Sequence, residues 1–291
     1  ILILFLKLQK SINGNLKILS FKDKISHQLL AFGGINFFLA LVNLGSLYFL
    51  RKIILDNSGV SSVGLFQAAS SLMGYLAIVA KGAGFYFFPK MSEKMDVQER
   101  NAEINEFMSI SILAMVIISL GAILFANTIF KYLFSKEFVG ISSIFYLFVI
   151  TQYINYTLGS SFGSTVFGMA KLKVHSISTL VLHFVLVLIP YLFIKKYGLQ
   201  AVALGFLTAY SIYALITGIY LYLNENIRLS KRIILFYFTG FMTLIIASFC
   251  SQISLILKLL FFVLGVILVL SFIEKSQWKE LKAIFTPLKI G

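Results

Sequence analysis

Cysteine occurs once in the 291 residues, at Cys250. No disulfide can therefore close within the chain, and no metal site can be built from its cysteines. Charge is scarce too: 12% of the residues are Asp, Glu, Lys or Arg, against about 25% in soluble domains. Half of the usual water-facing surface is missing, which excludes an ordinary soluble globular protein. The eleven acids all lie in segments between apolar runs or at their ends. The sequence holds no HExxH, no glycine-rich phosphate loop and no pair of intramembrane carboxylates, so the commonest hydrolytic, nucleotide and ion-coupled chemistries have no signature here. No hydrophilic segment is long enough for a catalytic domain outside a membrane, and no signal peptide is visible. The reading is a non-enzyme with no cofactor, no metal and no catalytic residue.

What is present is hydrocarbon. Hydrophobic residues make up 59% of the chain and the mean hydropathy is +0.94. The class is an all-α, polytopic membrane helix bundle. The formal charge of +14 does not point to nucleic acid, because the lysines and arginines sit in short segments between apolar runs, where membrane topology explains them. Ile1 opens on ILILFL, too short to span a bilayer. It reads as the end of a helix whose beginning is absent, and the chain as the C-terminal part of a longer protein. The basic segment from Lys7 to His27, with turn residues Asn13-Gly14-Asn15, reads as a linker.

Eight spans are predicted, at about Leu29–Leu50, Val60–Ser92, Met108–Phe130, Ile141–Phe167, Val174–Ile194, Leu199–Leu223, Ile233–Cys250 and Ile253–Ile273. Lys90–Glu106 reads as a helix lying in water, with Asp96 and Glu99 as its cap. Trp278 and the lysines beyond it resemble an interfacial belt. Positive charge favours one set of alternate loops, which places His27, Lys90–Glu106 and the C-terminus in the cytoplasm.

Polar residues inside the spans are few and patterned. On the second span Gln67, Ser70, Gly74, Ala77, Lys81 and Gly84 share one helical face. An ammonium group there costs about 2.5 kcal/mol or more. Two readings stand: Lys81 faces a lumen, or it snorkels to the interface at Pro89-Lys90, roughly 12 Å away. Asn36 and Asn43 share a face of the first span. Gln152, Asn155, Tyr156, Gly159 and Gly163 cluster on the fourth, with Tyr153 and Ser160 beside them. His175, Thr179 and His183 follow at i, i+4 and i+8 on the fifth, and His183 is read either as bonded within the bundle or as a proton relay or ligand contact. Tyr210, Tyr213, Thr217 and Tyr220 form a stripe on the sixth, open to ordinary packing as well as to a ligand. The candidate substrate-binding set is Lys81, Gln67, Asn36, Asn43, Gln152, Asn155, Tyr156 and Tyr213. Lysine suits an anionic group, and amides and phenols suit sugar hydroxyls. With no carboxylate in the spans, ion coupling is expected in an absent lobe, on His183, or not at all.

Gly64-Leu65-Phe66-Gln67-Ala68-Ala69 followed by Pro89-Lys90-Met91-Ser92 resembles the Wzx-type flippases, the polysaccharide-synthesis family of the multidrug/oligosaccharidyl-lipid/polysaccharide exporter superfamily. Gly168 with Lys171 and Lys173, and Tyr197-Gly198-Leu199 with Ala201-Val202-Ala203, extend the likeness; Ala201 stands where the family usually has glycine. The resemblance covers about Leu29 to Leu223. It implies two six-helix lobes around a central cavity, of which residues 29–223 form the C-terminal lobe. Residues 1–28 are then the end of a truncated helix and a cytoplasmic linker, and 224–291 two additional spans and a tail. It also implies movement of undecaprenyl-diphosphate-linked oligosaccharide across a bacterial inner membrane by alternating access, with Lys81 meeting the diphosphate. The implied partners are that lipid, the bilayer, and polysaccharide polymerase and chain-length machinery. A multidrug or metabolite exporter of the same fold is the alternative, although this half lacks the acidic cavity such a protein would favour. A membrane polymerase would need a large extracytoplasmic loop, which the sequence lacks.

Overall fold

The computed structural model describes residues 24–93, 95–134, 136–250 and 254–272. The linker expected up to residue 23 and the tail from residue 273, with Trp278, lie outside them. No strand occurs among the described residues. Helix α1 (Lys24–Met91) is followed by α2 (Val97–Leu124), the short α3 (Ala126–Leu133) and a 3-10 turn at Lys136–Ile141. Next come α4 (Ser142–Ile154), a π turn at Asn155–Gly159, and α5 (Ser160–Gly168). The chain continues through α6 (Leu172–Tyr197), α7 (Leu199–Asn224), α8 (Lys231–Phe249) and α9 (Leu255–Leu270). Among the described residues five helices are long and apolar enough to cross a membrane, and α9 is a shorter apolar helix.

α1 is two arms. At Gly59 the backbone takes φ 79° and ψ 175°, a combination open essentially to glycine alone. The chain reverses there. Phe32 and Phe88, 27 and 29 residues to either side, both pack on Phe167, at 5.1 and 5.3 Å between ring centroids. Across the turn Arg51 donates to the Gln67 amide oxygen at 2.8 Å. Both arms thus return to one level of the bundle.

The water-lying helix expected over Lys90–Glu106 is not a separate element. α2 runs unbroken from Val97 to Leu124, because no glycine or proline interrupts residues 97–120. Its start is fixed by a reciprocal cap: the Asp96 carboxylate accepts from Glu99 N at 2.8 Å, and the Glu99 carboxylate accepts from Asp96 N at 3.4 Å. The polar first turns of α2 rise out of its apolar part. The helix ends at Phe125, short of the expected Phe130.

Within the spans, hydroxyls bond back to the carbonyl four residues earlier, as Ser46 does to Val42, Ser70 to Phe66 and Thr151 to Leu147. In hydrocarbon this satisfies both groups without a partner helix. The core is aromatic at its centre: Phe66 of α1, Phe148 of α4 and Phe206 of α7 meet with centroids 5.4 to 6.2 Å apart. On the second arm of α1 the buried residues are Phe66, Ala68, Ala69, Leu72, Met73, Leu76, Ala77, Phe87 and Met91. Gln67 and Gly74, from the polar stripe, lie exposed on the other side. Ala77 of the same stripe is buried, and Tyr75 and Ile78 are exposed beside Gly74, so the outward side of the arm is mixed.

Candidate polar cleft

The π turn rephases the fourth span. Its Asn155 carbonyl accepts from Ser160 N, five residues on, which inserts one extra residue into the turn. Asn155, Gly159, Ser160, Gly163 and Ser164 then share one side. This side faces the first arm of α1 at Asn43, α6 at His175, Thr179 and His183, and α7 at Tyr210 and Tyr213, around a cleft of about 440 Å³. Phe88 and Phe167 also line it. No Asp, Glu, Lys or Arg lines the cleft among the described residues. The lining is amide, hydroxyl, phenol and imidazole against an otherwise apolar bundle.

Tyr213 reaches the cleft because residue 163 is glycine. A β-carbon at Gly163 would coincide with the Tyr213 hydroxyl, and one at Gly159 would stand 3.6 Å from its ring. His183 is 8% exposed. The Nδ1 atoms of His183 and His175 are buried with no hydrogen-bond partner among the described residues. His175 packs its ring on Phe167, at 4.8 Å.

Of the eight residues proposed from sequence, Asn43, Asn155 and Tyr213 meet in the cleft. Gln152 is buried one step behind, donating to Met73 Sδ at 3.4 Å and accepting from Asn155 Nδ2 at 3.4 Å. Tyr156 is half-buried and does not line the cleft. Asn36 is exposed and donates to the Phe32 carbonyl at 3.0 Å. Gln67 is engaged by Arg51 near the Gly59 reversal. Lys81 belongs to the second arm of α1, and its side chain lies outside the described residues. His175, Thr179, Ser160, Ser164 and Tyr210 were not in that set; the i, i+4, i+8 ladder on α6 was the signal for the first two.

At the end of the bundle that carries Lys171, two loops are tied together. Lys171 Nζ lies 2.7 Å from Glu225 Oε1, which also accepts from the Tyr220 hydroxyl at 3.0 Å. Burial pushes the Glu225 carboxyl up, but the hydrogen bonds from Lys171 and Tyr220 outweigh it and hold it below the usual carboxylate value. The Glu225 hydrogen bond holds Lys171 above its own usual value.

Fold and cleft define a multi-pass helical membrane bundle with an apolar core and, among the described residues, an uncharged polar cleft. A solved structure titled "Lipid II flippase MurJ, inward closed conformation" is similar, with a TM-score of 0.65, 17% identity and 92% of this chain covered. The chain spans 59% of that flippase's length. The likeness shows a MurJ-like fold and does not single out the Wzx type. No protein-family model and no curated protein matches the sequence.

Proposed function

We propose that this chain is the C-terminal part of a flippase for lipid-linked saccharides. Residues 29–223 form one lobe of it, and the two later spans are additions. The observation that carries the reading is the uncharged polar cleft, about 440 Å³, inside a bundle with a flippase-type fold. Hydroxyl, amide and phenol groups suit the many hydroxyls of a sugar and leave no buried carboxylate to attract a cationic drug. The second α1 arm also leaves an outward face, exposed at Gln67, Gly74, Tyr75 and Ile78. A face of mixed polar, small and aromatic residues suits the inner wall of a cavity shared with a second lobe.

The substrate class is a polyprenyl-diphosphate carrying an oligosaccharide, moved across a bacterial cell membrane for a surface polysaccharide such as O-antigen. Lys81 is the cation on this chain proposed to meet the diphosphate. Polymerase and chain-length machinery would act on the product. The test uses the full-length protein in liposomes holding fluorescent undecaprenyl-diphosphate saccharides, with an impermeant quencher reporting the outer leaflet. Transbilayer movement at least about tenfold faster than in protein-free liposomes is expected. Export of cationic dyes without movement of any saccharide-linked diphosphate would sink the reading.

A further inference from the structure

His183 and His175 are the feature of the cleft that sugar recognition leaves unexplained. A buried ring nitrogen without a partner is costly, and here the two residues that carry one line the same cleft. His183 also borders a second hollow of about 460 Å³, lined by Val42, Phe184 and Tyr191 among others. The two histidines are eight residues apart on one face of α6, about 12 Å by helical rise. The Thr179 hydroxyl stands between them on the cleft wall. His175, Thr179 and His183 thus form a file that starts at the Lys171 end of α6 and runs toward the middle of the bundle. At its start the rings of Phe32, Phe88 and His175 all pack on Phe167, an aromatic plug where the file meets that face.

We infer that the cleft is the proton-binding site of the transport cycle, with His183 as the group that carries the proton and the aromatic cluster around Phe167 as the plug that controls its access. The inference rests on the flippase reading. The described groups facing the histidines are neutral on every packed element: Asn43 and Ser46 from α1, Asn155, Ser160 and Ser164 from the π turn and α5, and Tyr210 and Tyr213 from α7. No carboxylate in this lining offsets an imidazolium, so a proton on His183 needs water or an anionic group in the cleft. That requirement is what couples the ion to the cycle. When the plug parts, water enters, Nδ1 of His183 takes a proton, and the charged ring favours the hydrated, open arrangement. When the cleft opens to the other face, the proton leaves to water there. The ion acts only through its different affinity for the two arrangements.

Two measurements test this on the full-length protein. In liposomes, the quantity read is the ratio of saccharide-diphosphate flipping with and without an imposed pH gradient. We expect a wild-type ratio of about fivefold or more, falling to about 1 in His183→Gln and reduced in His175→Gln. A wild-type ratio near 1, or an unchanged ratio in His183→Gln, overturns the proton site and leaves the flippase reading standing. Absence of flipping under both conditions defeats the flippase reading instead. The proton site is then decided by 15N-histidine NMR of the wild-type protein in nanodiscs, with the two variants used for assignment. A His183 ring that titrates between pH 4 and 8 supports the proposal, and one that stays neutral throughout overturns it.

Discussion

Tyr213 lays its hydroxyl in the space that a β-carbon of residue 163 would fill, so α5 and α7 approach as they do only because Gly163 has none. The same tyrosine ring stands 3.6 Å from where a β-carbon of Gly159 would be. One glycine pair therefore sets both the helix spacing and the phenol's place in the cleft. Gly163→Ala is expected to overpack this seam by about 1–3 kcal/mol and to turn Tyr213 away. The melting temperature of the purified full-length protein should fall. Tyr213→Phe added to Gly163→Ala should recover part of the loss, because the colliding atom is the hydroxyl. An unchanged melting temperature in Gly163→Ala would show that the seam gives freely.

The Lys171–Glu225 contact makes a prediction in pH. The Glu225 carboxyl is held below its usual value, so the stability it contributes is present above the unfolded value, about 4.3, and is lost as pH falls through the folded one. Lys171 is held above its usual value, so its contribution is present below about 10.4 and is lost as pH rises through the folded value. The pair is thus intact on a plateau between about pH 5 and 10. Lys171 is 39% exposed at its side chain, which limits the pair to about 0.5–1 kcal/mol. Glu225→Gln should lower the melting temperature slightly at pH 7 and flatten its acid limb. A variant whose acid limb matches the wild type would assign that limb to other carboxylates.

The sequence was most legible where local chemistry decides the outcome. Asp96 and Glu99 sit three apart before an apolar run, and they form the reciprocal cap. Apolar length up to Pro89 marked out the second arm of α1, but Arg51 did not end the first, which stays helical as far as Gly59. The water-lying helix over Lys90–Glu106 failed because a capped segment without breakers simply continues into the span. Other features depend on partners far along the chain. Asn43 and His183 meet across about 140 residues, and no period within either helix reports the other. A stripe drawn at 3.6 residues per turn set Gln152, Asn155 and Tyr156 beside Gly159 and Gly163; the two glycines line the cleft, but the three longer side chains part company. Only Asn155 reaches the cleft, while Gln152 turns to Met73. On the second arm of α1 the stripe drawn from periodicity divides: Gln67 and Gly74 are exposed, Ala77 is buried, and Tyr75 and Ile78 stand exposed beside them. Which side meets this bundle was decided by Phe148 and Phe206, which take Phe66 between them.

Lys81 stands on that second arm, fourteen residues after Gln67 and four turns along the same sequence stripe. If it anchors a diphosphate, Lys81→Ala abolishes saccharide export while protein level and membrane insertion stay normal. Lys81→Arg retains part of the activity, since charge survives with altered geometry. Complementation of an export-deficient strain, with immunoblotting of membranes, reads both quantities. Full complementation by Lys81→Ala would return the residue to the snorkelling role.

Orientation can be read from one position, because three loops are fastened to the same face. Asn101 Oδ1 accepts from Arg228 N at 2.7 Å, and Asn105 Oδ1 accepts from Ser230 N at 2.8 Å. These bonds join the start of α2 to the segment between α7 and α8. Lys171 joins the α5–α6 segment to that segment through Glu225. Lys90 adds the end of α1 by pairing with Glu103 at 2.8 Å. The basic residues Lys171, Arg228, Lys231 and Arg232 therefore gather at one end of the bundle, which the positive-inside rule assigns to the cytoplasm. Gln98 lies exposed in the first turn of α2 on that face. In a Cys250→Ser background, Gln98→Cys should react with an impermeant maleimide only after permeabilisation. Lys195→Cys, at the far end of α6 from Lys171, should react in intact cells. Labelling of Gln98→Cys in intact cells, with Lys195→Cys protected, would invert the bundle and with it the direction in which the plug at Phe167 opens.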